Sequence, residues 1–189
     1  QRLIVPGGDA PVKGLPAVIR SFEMSPVPAA QGQTISFRIV STEPISISAR
    51  LNQTPFSIGR DPGAEQVTYG LAGVYRLTEP NLYPFTLVIT DSTGSGTTLT
   101  QSLPIRAGRY VVDPPLTVDP ATIDPAIVQP EYQRVMSIVT GPSSSERLWS
   151  APFALPSVGV IRSVFGALRS YNGGPYDAFH GGVDFSGGE

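Results

Sequence analysis

The sequence predicts a mainly β protein. Three observations carry that expectation. Apolar and polar residues alternate strictly in several short runs. Turn residues separate those runs, notably Asp61-Pro62-Gly63 and Asp91-Ser92-Thr93-Gly94-Ser95-Gly96. Finally, 20 glycines and 20 prolines in 189 residues suit many short strands and turns better than long helices.

Taken in order, residues 1–16 read as an arm. Pro6-Gly7-Gly8-Asp9 and prolines 11 and 16 interrupt any regular element. From 17 to 109 the period is two. Ile35, Phe37 and Ile39 alternate with Ser36 and Arg38. Ile45, Ile47, Ala49 and Leu51 alternate with Ser46, Ser48 and Arg50. Val67, Tyr69 and Leu71 repeat the spacing, as do Phe85, Leu87 and Ile89, and then Leu99, Leu103 and Ile105. Side chains in a strand alternate between faces, so each set defines one buried face. About seven short strands at this spacing suggest an immunoglobulin-like β-sandwich, without a cysteine pair or core tryptophan. Tyr83, just ahead of the Phe85–Thr90 run, sits where a tyrosine corner would.

Residues 110–146 read as a proline-rich linker with one short helix. Asp113-Pro114-Pro115, Asp119-Pro120 and Asp124-Pro125 recur, and proline keeps itself and the preceding residue extended. The stretch is expected to act as a semi-rigid spacer. Val128, Tyr132, Val135, Met136 and Val139 then fall at i, i+4, i+7, i+8 and i+11, one face of a helix closed by Gly141-Pro142. That face is expected to dock on a flanking domain. Residues 147–189 turn apolar again, with Leu148, Trp149, Phe153 and Leu155. A strand is expected over Val158–Phe165, and a Gly/Pro loop over Tyr171–Tyr176.

Composition excludes several classes. The formal net charge is −2 with no basic run, which argues against a nucleic-acid partner. No apolar stretch approaches the roughly 18 residues of a membrane-spanning helix. No signal peptide is visible, and the start at Gln1-Arg2-Leu3 is compatible with a mature exported product. There is no cysteine, hence no disulfide framework.

The chemistry concentrates at the end of the chain. His180, the one histidine, precedes Asp184 by four residues, with Gly181 and Gly182 between them. If Gly182–Phe185 is a strand, His180 and Asp184 share one face, and Val183 and Phe185 point into a core. Imidazole nitrogen and carboxylate oxygen are ordinary zinc donors, and a glycine between them leaves room for an ion. The surrounding text is denser than the pair alone. Phe165-Gly166, then Arg169-Ser170-Tyr171-Asn172-Gly173-Gly174-Pro175-Tyr176, then Phe179-His180-x-Gly182-x-Asp184-Phe185 resembles the opening of the lysostaphin/LytM-type zinc metallopeptidase domain. Ala167 and Leu168 stand where that family often has polar or basic residues.

The resemblance implies a zinc endopeptidase acting on peptide cross-links of bacterial peptidoglycan, and therefore a secreted or cell-envelope location. It implies that His180 and Asp184 are two of three protein zinc ligands. The family's third ligand and catalytic histidine come from a later H-x-H motif, and the sequence stops at Glu189 before one. The chain thus reads as the N-terminal part of such a peptidase domain, with no catalytic residue of its own. A further chain or a C-terminal continuation would be needed to complete its sheet. Asp177 or Glu189 could stand in as third ligand. Ser186 lies near His180, but no nucleophile elbow surrounds it. Tyr171 and Tyr176 could border a substrate groove. The alternative is a non-catalytic envelope-binding or spacer protein built on the immunoglobulin-like domain.

Overall fold

A computed structural model describes residues 3–5, 14–141, 144 and 147–187. The protein is mainly β, with one α-helix among the described residues. It divides into two compact units, 1–108 with 144–150, and 109–143 with 151–189.

Among the described residues, the first unit has ten strands in two sheets. In chain order they are β1 (Leu3–Val5), β2 (Ile19–Ser25), β3 (Ala29–Ala30), β4 (Thr34–Ser41), β5 (Ser46–Leu51), β6 (Thr54–Pro55), β7 (Ser57–Asp61), β8 (Ala64–Gly73), β9 (Asn81–Thr90) and β10 (Gly96–Arg106). One sheet runs β1-β2-β4-β8-β7 and the other β3-β10-β9-β5-β6. All neighbours are antiparallel except β3 and β10. The N-terminal arm thus contributes an edge strand, β1, paired with β2.

Both sheets feed a single core. Phe22 and Met24 of β2, Ile35, Phe37 and Ile39 of β4, Leu87 and Ile89 of β9, and Leu103 and Ile105 of β10 are all buried in it. Burial of each such side chain is worth roughly 1.5–3 kcal/mol. Phe37 is the hub. Its ring centroid lies 6.0 Å from Phe22, 5.2 Å from Phe56 and 6.4 Å from Phe85.

One expectation is inverted. In β8 the buried residues include Thr68 and Ala72, while Val67, Tyr69 and Leu71 lie on the outer face. The inner face needs small residues there, because a Cβ on Gly70 would run into the Phe37 ring. The outer face is apolar because it is partly covered: Tyr69 meets Trp149 edge-on at 6.3 Å. Alternation was read correctly as strand, but hydrophobicity alone named the wrong face.

The β9–β10 turn is organised by Asp91. Its Oδ1 accepts from the Thr93 hydroxyl at 2.6 Å and from the Thr93 and Ser95 N–H groups, each at 2.9 Å. The Thr93 hydroxyl, helped by the Ser95 amide, holds the Asp91 carboxyl below its ordinary value. A depressed folded-state pKa stabilises above the unfolded-state value and is lost as pH falls through the folded one. The turn should therefore loosen only in acid, below the ordinary carboxylate range. Asp91→Asn keeps an acceptor oxygen and should abolish that transition in the Thr93 and Ser95 amide signals. An unchanged acid transition would assign it to another group.

The second unit contains a 3-10 turn (Pro120–Ile123), α1 (Pro125–Val139), β11 (Ile161–Ser163), β12 (Leu168–Arg169), β13 (Ala178–Phe179) and β14 (Asp184–Phe185). Helix α1 starts at a capped proline. Asp124 accepts from the Ala126 N–H at 2.8 Å, and Pro125 occupies the first turn, where a missing N–H costs nothing. Its expected docking is not observed: none of its residues is buried, and Ile127, Tyr132, Ile138 and Val139 are each more than half exposed. The long strand expected over Val158–Phe165 shortens to Ile161–Ser163.

The stretch after Arg109 is extended, as its prolines require, but part of it is tied down rather than spanning freely. It runs parallel beside Leu168–Asn172. Val111 O accepts from Leu168 N at 3.0 Å, Asp113 N donates to Leu168 O at 2.9 Å, and Leu116 N donates to Ser170 O at 2.9 Å. Pro114 and Pro115 fall between the donating positions, so their lack of an N–H does not break the pairing.

Candidate metal centre

Four short strands bring the candidate ligands together. β12 pairs with β13 through Leu168–Phe179 and Arg169–Ala178. The ladder continues past them: His180 N donates to Ala167 O and Gly166 N donates to His180 O, each at 2.8 Å. β11 pairs with β14, setting Ser163 opposite Asp184. His180 therefore leaves the end of β13 beside the end of β11, and Asp184 opens β14 next to it.

This differs from a single strand carrying both ligands. Residues 180–183 are irregular, Gly182 lies at a bend, and Val183 is 45% exposed rather than in a core. The irregular stretch joins β13 to β14 and brings the two side chains together. His180 Nε2 lies 3.3 Å from Asp184 Oδ1, with the imidazole 12% exposed and the carboxylate 58%.

The other ring nitrogen is held from behind. His180 Nδ1 is 3.0 Å from Ser163 Oγ and 3.2 Å from the Val164 carbonyl oxygen. A serine hydroxyl can donate or accept, but a carbonyl only accepts. A proton on Nδ1 satisfies the Val164 contact. In the neutral ring Nε2 then carries a lone pair, aimed at a carboxylate oxygen. Two acceptors at that separation repel unless a cation or a second ring proton lies between them. Zinc fits the spacing. Ligand atoms about 2.0–2.2 Å from a tetrahedral zinc stand about 3.3 Å apart.

A polar chain runs outward from Ser163. Arg169 Nη2 donates to Ser163 Oγ at 3.3 Å, and Arg169 Nε donates to Asp113 Oδ2 at 3.2 Å. Partial burial works against the Arg169 charge, but hydrogen bonds with Tyr171 and Asp113 outweigh it and raise its pKa. Tyr176 donates its hydroxyl to the Asp113 carbonyl at 3.0 Å. Tyr171 and Tyr176 are thus both engaged in supporting contacts. Buried Ser170 pins the loop between them by donating to Gly174 O at 2.6 Å. Sequence reading missed Ser163, Val164 and Asp113. Only their distance in sequence hid them, since each lies in a segment that reads as an ordinary strand or linker.

The remaining candidates are placed as follows. Asp177 is exposed, and no group of three metal-binding side chains converges among the described residues. Glu189 lies outside the described residues. The Ser186 hydroxyl accepts from Val160 N at 2.9 Å and closes the β11–β14 pair. No helix among the described residues is long and apolar enough to cross a membrane.

No protein-family profile matches the chain, and no curated protein resembles it closely enough to report.

Proposed function

We propose that this protein is a zinc metalloendopeptidase hydrolysing peptide bonds in bacterial peptidoglycan, with His180 and Asp184 as two of its metal ligands. The observation that carries this reading is a histidine nitrogen and a carboxylate oxygen 3.3 Å apart, with the far side of the imidazole against a carbonyl oxygen. When bound, zinc supplies Lewis-acid polarisation of the scissile carbonyl and a water of lowered pKa. The described residues provide two ligands and their support. The reading requires a third ligand and a general base besides these residues. Exposure agrees with that: β11 and β14 form only a two-stranded sheet, and Phe153, Leu155, Val160 and Ile161 are more than half exposed. Uncovered strand edges invite added strands. An envelope location follows from the substrate.

The first unit reads as an immunoglobulin-like sandwich. Its sheet orders match that plan, with a short parallel strand, β3, beside β10. Tyr83 donates its hydroxyl to the Glu79 carbonyl at 2.8 Å, the bond expected of a tyrosine corner.

The test is made on the protein as its gene encodes it. Such a protein should carry about one zinc per molecule and release soluble fragments from purified peptidoglycan. His180→Ala should abolish both. A zinc-free product that releases nothing would sink the proposal.

A second reading, an envelope-binding module, is favoured by one feature. A cleft of about 320 Å³ on the outer face of the first sheet is lined by Glu23, Arg38, Tyr69, Leu71, Arg147 and Trp149. An aromatic pair beside charged groups suits a polymer with both apolar and polar faces. Trp149 is the one tryptophan, so its fluorescence should respond to soluble peptidoglycan fragments. A response kept in Tyr69→Ala would place binding elsewhere.

A further inference from the structure

We propose that Asp113, acting through Arg169 and Ser163, is a positioning residue for His180, so that residues 110–118 are part of the metal centre. The inference rests on the metal reading of His180 and Asp184 and assigns a role to a segment outside the stretch that resembles the peptidase family.

The geometry is a continuous chain. Asp113 Oδ2 holds Arg169 Nε at 3.2 Å, Arg169 Nη2 reaches Ser163 Oγ at 3.3 Å, and Ser163 Oγ lies 3.0 Å from His180 Nδ1. Ser163 has two lone pairs. Arg169 takes one and leaves the other for the Nδ1 proton, which also points toward Val164 O. Rotation of the Ser163 hydroxyl into the opposite role would put a proton on Nε2 and block the metal-facing nitrogen. Arg169 holds the Ser163 oxygen in place beside Nδ1, and Asp113 holds Arg169. Asp113 is itself fixed at three points: its carboxylate on Arg169, its N–H on Leu168 O at 2.9 Å, and its carbonyl under the Tyr176 hydroxyl at 3.0 Å. The Arg169 and Asp113 side chains are only 20% and 25% exposed, so water competes weakly for the bond. Partners behind a metal-binding histidine typically change metal affinity by about 10–100-fold when removed.

The single histidine makes the test direct, because every imidazole nitrogen signal in the 15N-labelled 189-residue chain is His180. The wild type should show a protonated Nδ1 and a bare Nε2, and added Zn²⁺ should move the Nε2 signal. Asp113→Asn and Ser163→Ala should give mixed tautomers and require about 10–100-fold more Zn²⁺ for the same displacement. Ser163→Thr keeps the hydroxyl and should respond like the wild type. Backbone amide signals of the first unit and of residues 178–180 report folding. If Asp113→Asn disturbs them, Arg169→Lys carries the same test, since lysine keeps the charge without the two-pronged geometry. A wild-type Nε2 signal indifferent to Zn²⁺, together with a zinc-free gene-encoded protein, overturns the metal reading and this inference together; if the gene-encoded protein does carry zinc, an unchanged tautomer in Asp113→Asn overturns the positioning role. A normal wild-type response with the Asp113→Asn affinity within about twofold overturns the positioning role alone.

Discussion

Phe37→Ala should cost the first unit about 3–5 kcal/mol, the range for removing a buried aromatic ring. Phe37 is 2% exposed and meets Phe22, Phe56 and Phe85 at once, so its loss opens the middle of the core rather than an edge. The cavity would resist collapse. Gly70, behind the ring, has no side chain with which to fill it. Domain stabilities are typically about 5–15 kcal/mol, so this is a large share of the total. With a urea slope of about 1–3 kcal/mol per molar, the midpoint should fall by roughly 2 M. Phe37→Leu keeps most of the volume and should cost less than half as much. If Phe37→Ala shifts the midpoint no more than Phe37→Leu does, the two sheets do not share the core described for them.

That core was legible in the sequence because strand periodicity and burial coincide in β4, β5, β9 and β10. It was misread in β8, where the aromatic and aliphatic residues face outward and the core takes Thr68, Gly70 and Ala72. No rule of alternation can know that a phenylalanine on the neighbouring strand needs the space of a glycine. Short strands such as β3 and β6 exist through pairing and carry too few residues to show a period. The candidate site divides in the same way. His180 and Asp184 are close in sequence and were found from donor chemistry and spacing. Their placement on two separate strands, β13's end and β14, rather than on one, has no signal in the spacing. The groups behind the imidazole are 16, 17 and 67 positions away, at Val164, Ser163 and Asp113. Only chain topology brings them together. Helix α1 shows the converse: its apolar stripe and its Gly141-Pro142 stop are readable, yet a stripe does not say whether anything covers it.

Gly166→Ala should strongly disturb the candidate centre. Gly166 has φ +85°, a backbone region that costs a residue with a Cβ about 1–3 kcal/mol. The new methyl would also run into the Tyr110 ring, and forcing an atom into packed surroundings costs about 1–3 kcal/mol more. Tyr110 packs edge-on against Phe165 at 6.2 Å, and Phe165 packs edge-on against Phe179 at 6.0 Å. A shift of Tyr110 is thus passed to the residue just before His180. The backbone carries the disturbance as well, because Gly166 N donates to His180 O. Hydrogen exchange at the His180 and Gly166 amides should accelerate by roughly 30-fold or more, since each 1.4 kcal/mol of lost local stability is tenfold. The Zn²⁺ response of the imidazole should weaken in parallel. Gly181→Ala is the matched control: its Cβ would meet nothing within 4 Å, and its φ is not positive, so exchange at His180 should stay near the wild-type rate. If Gly166→Ala also left that rate unchanged, the β12–β13 ladder and the aromatic contacts behind it could not be what holds His180 in place. The tautomer argument would then rest on Ser163 and Val164 alone. Acceleration in Gly166→Ala but not in Gly181→Ala would instead tie the glycine of the Phe-Gly pair to the histidine 14 residues later through a physical contact rather than through a shared sequence pattern.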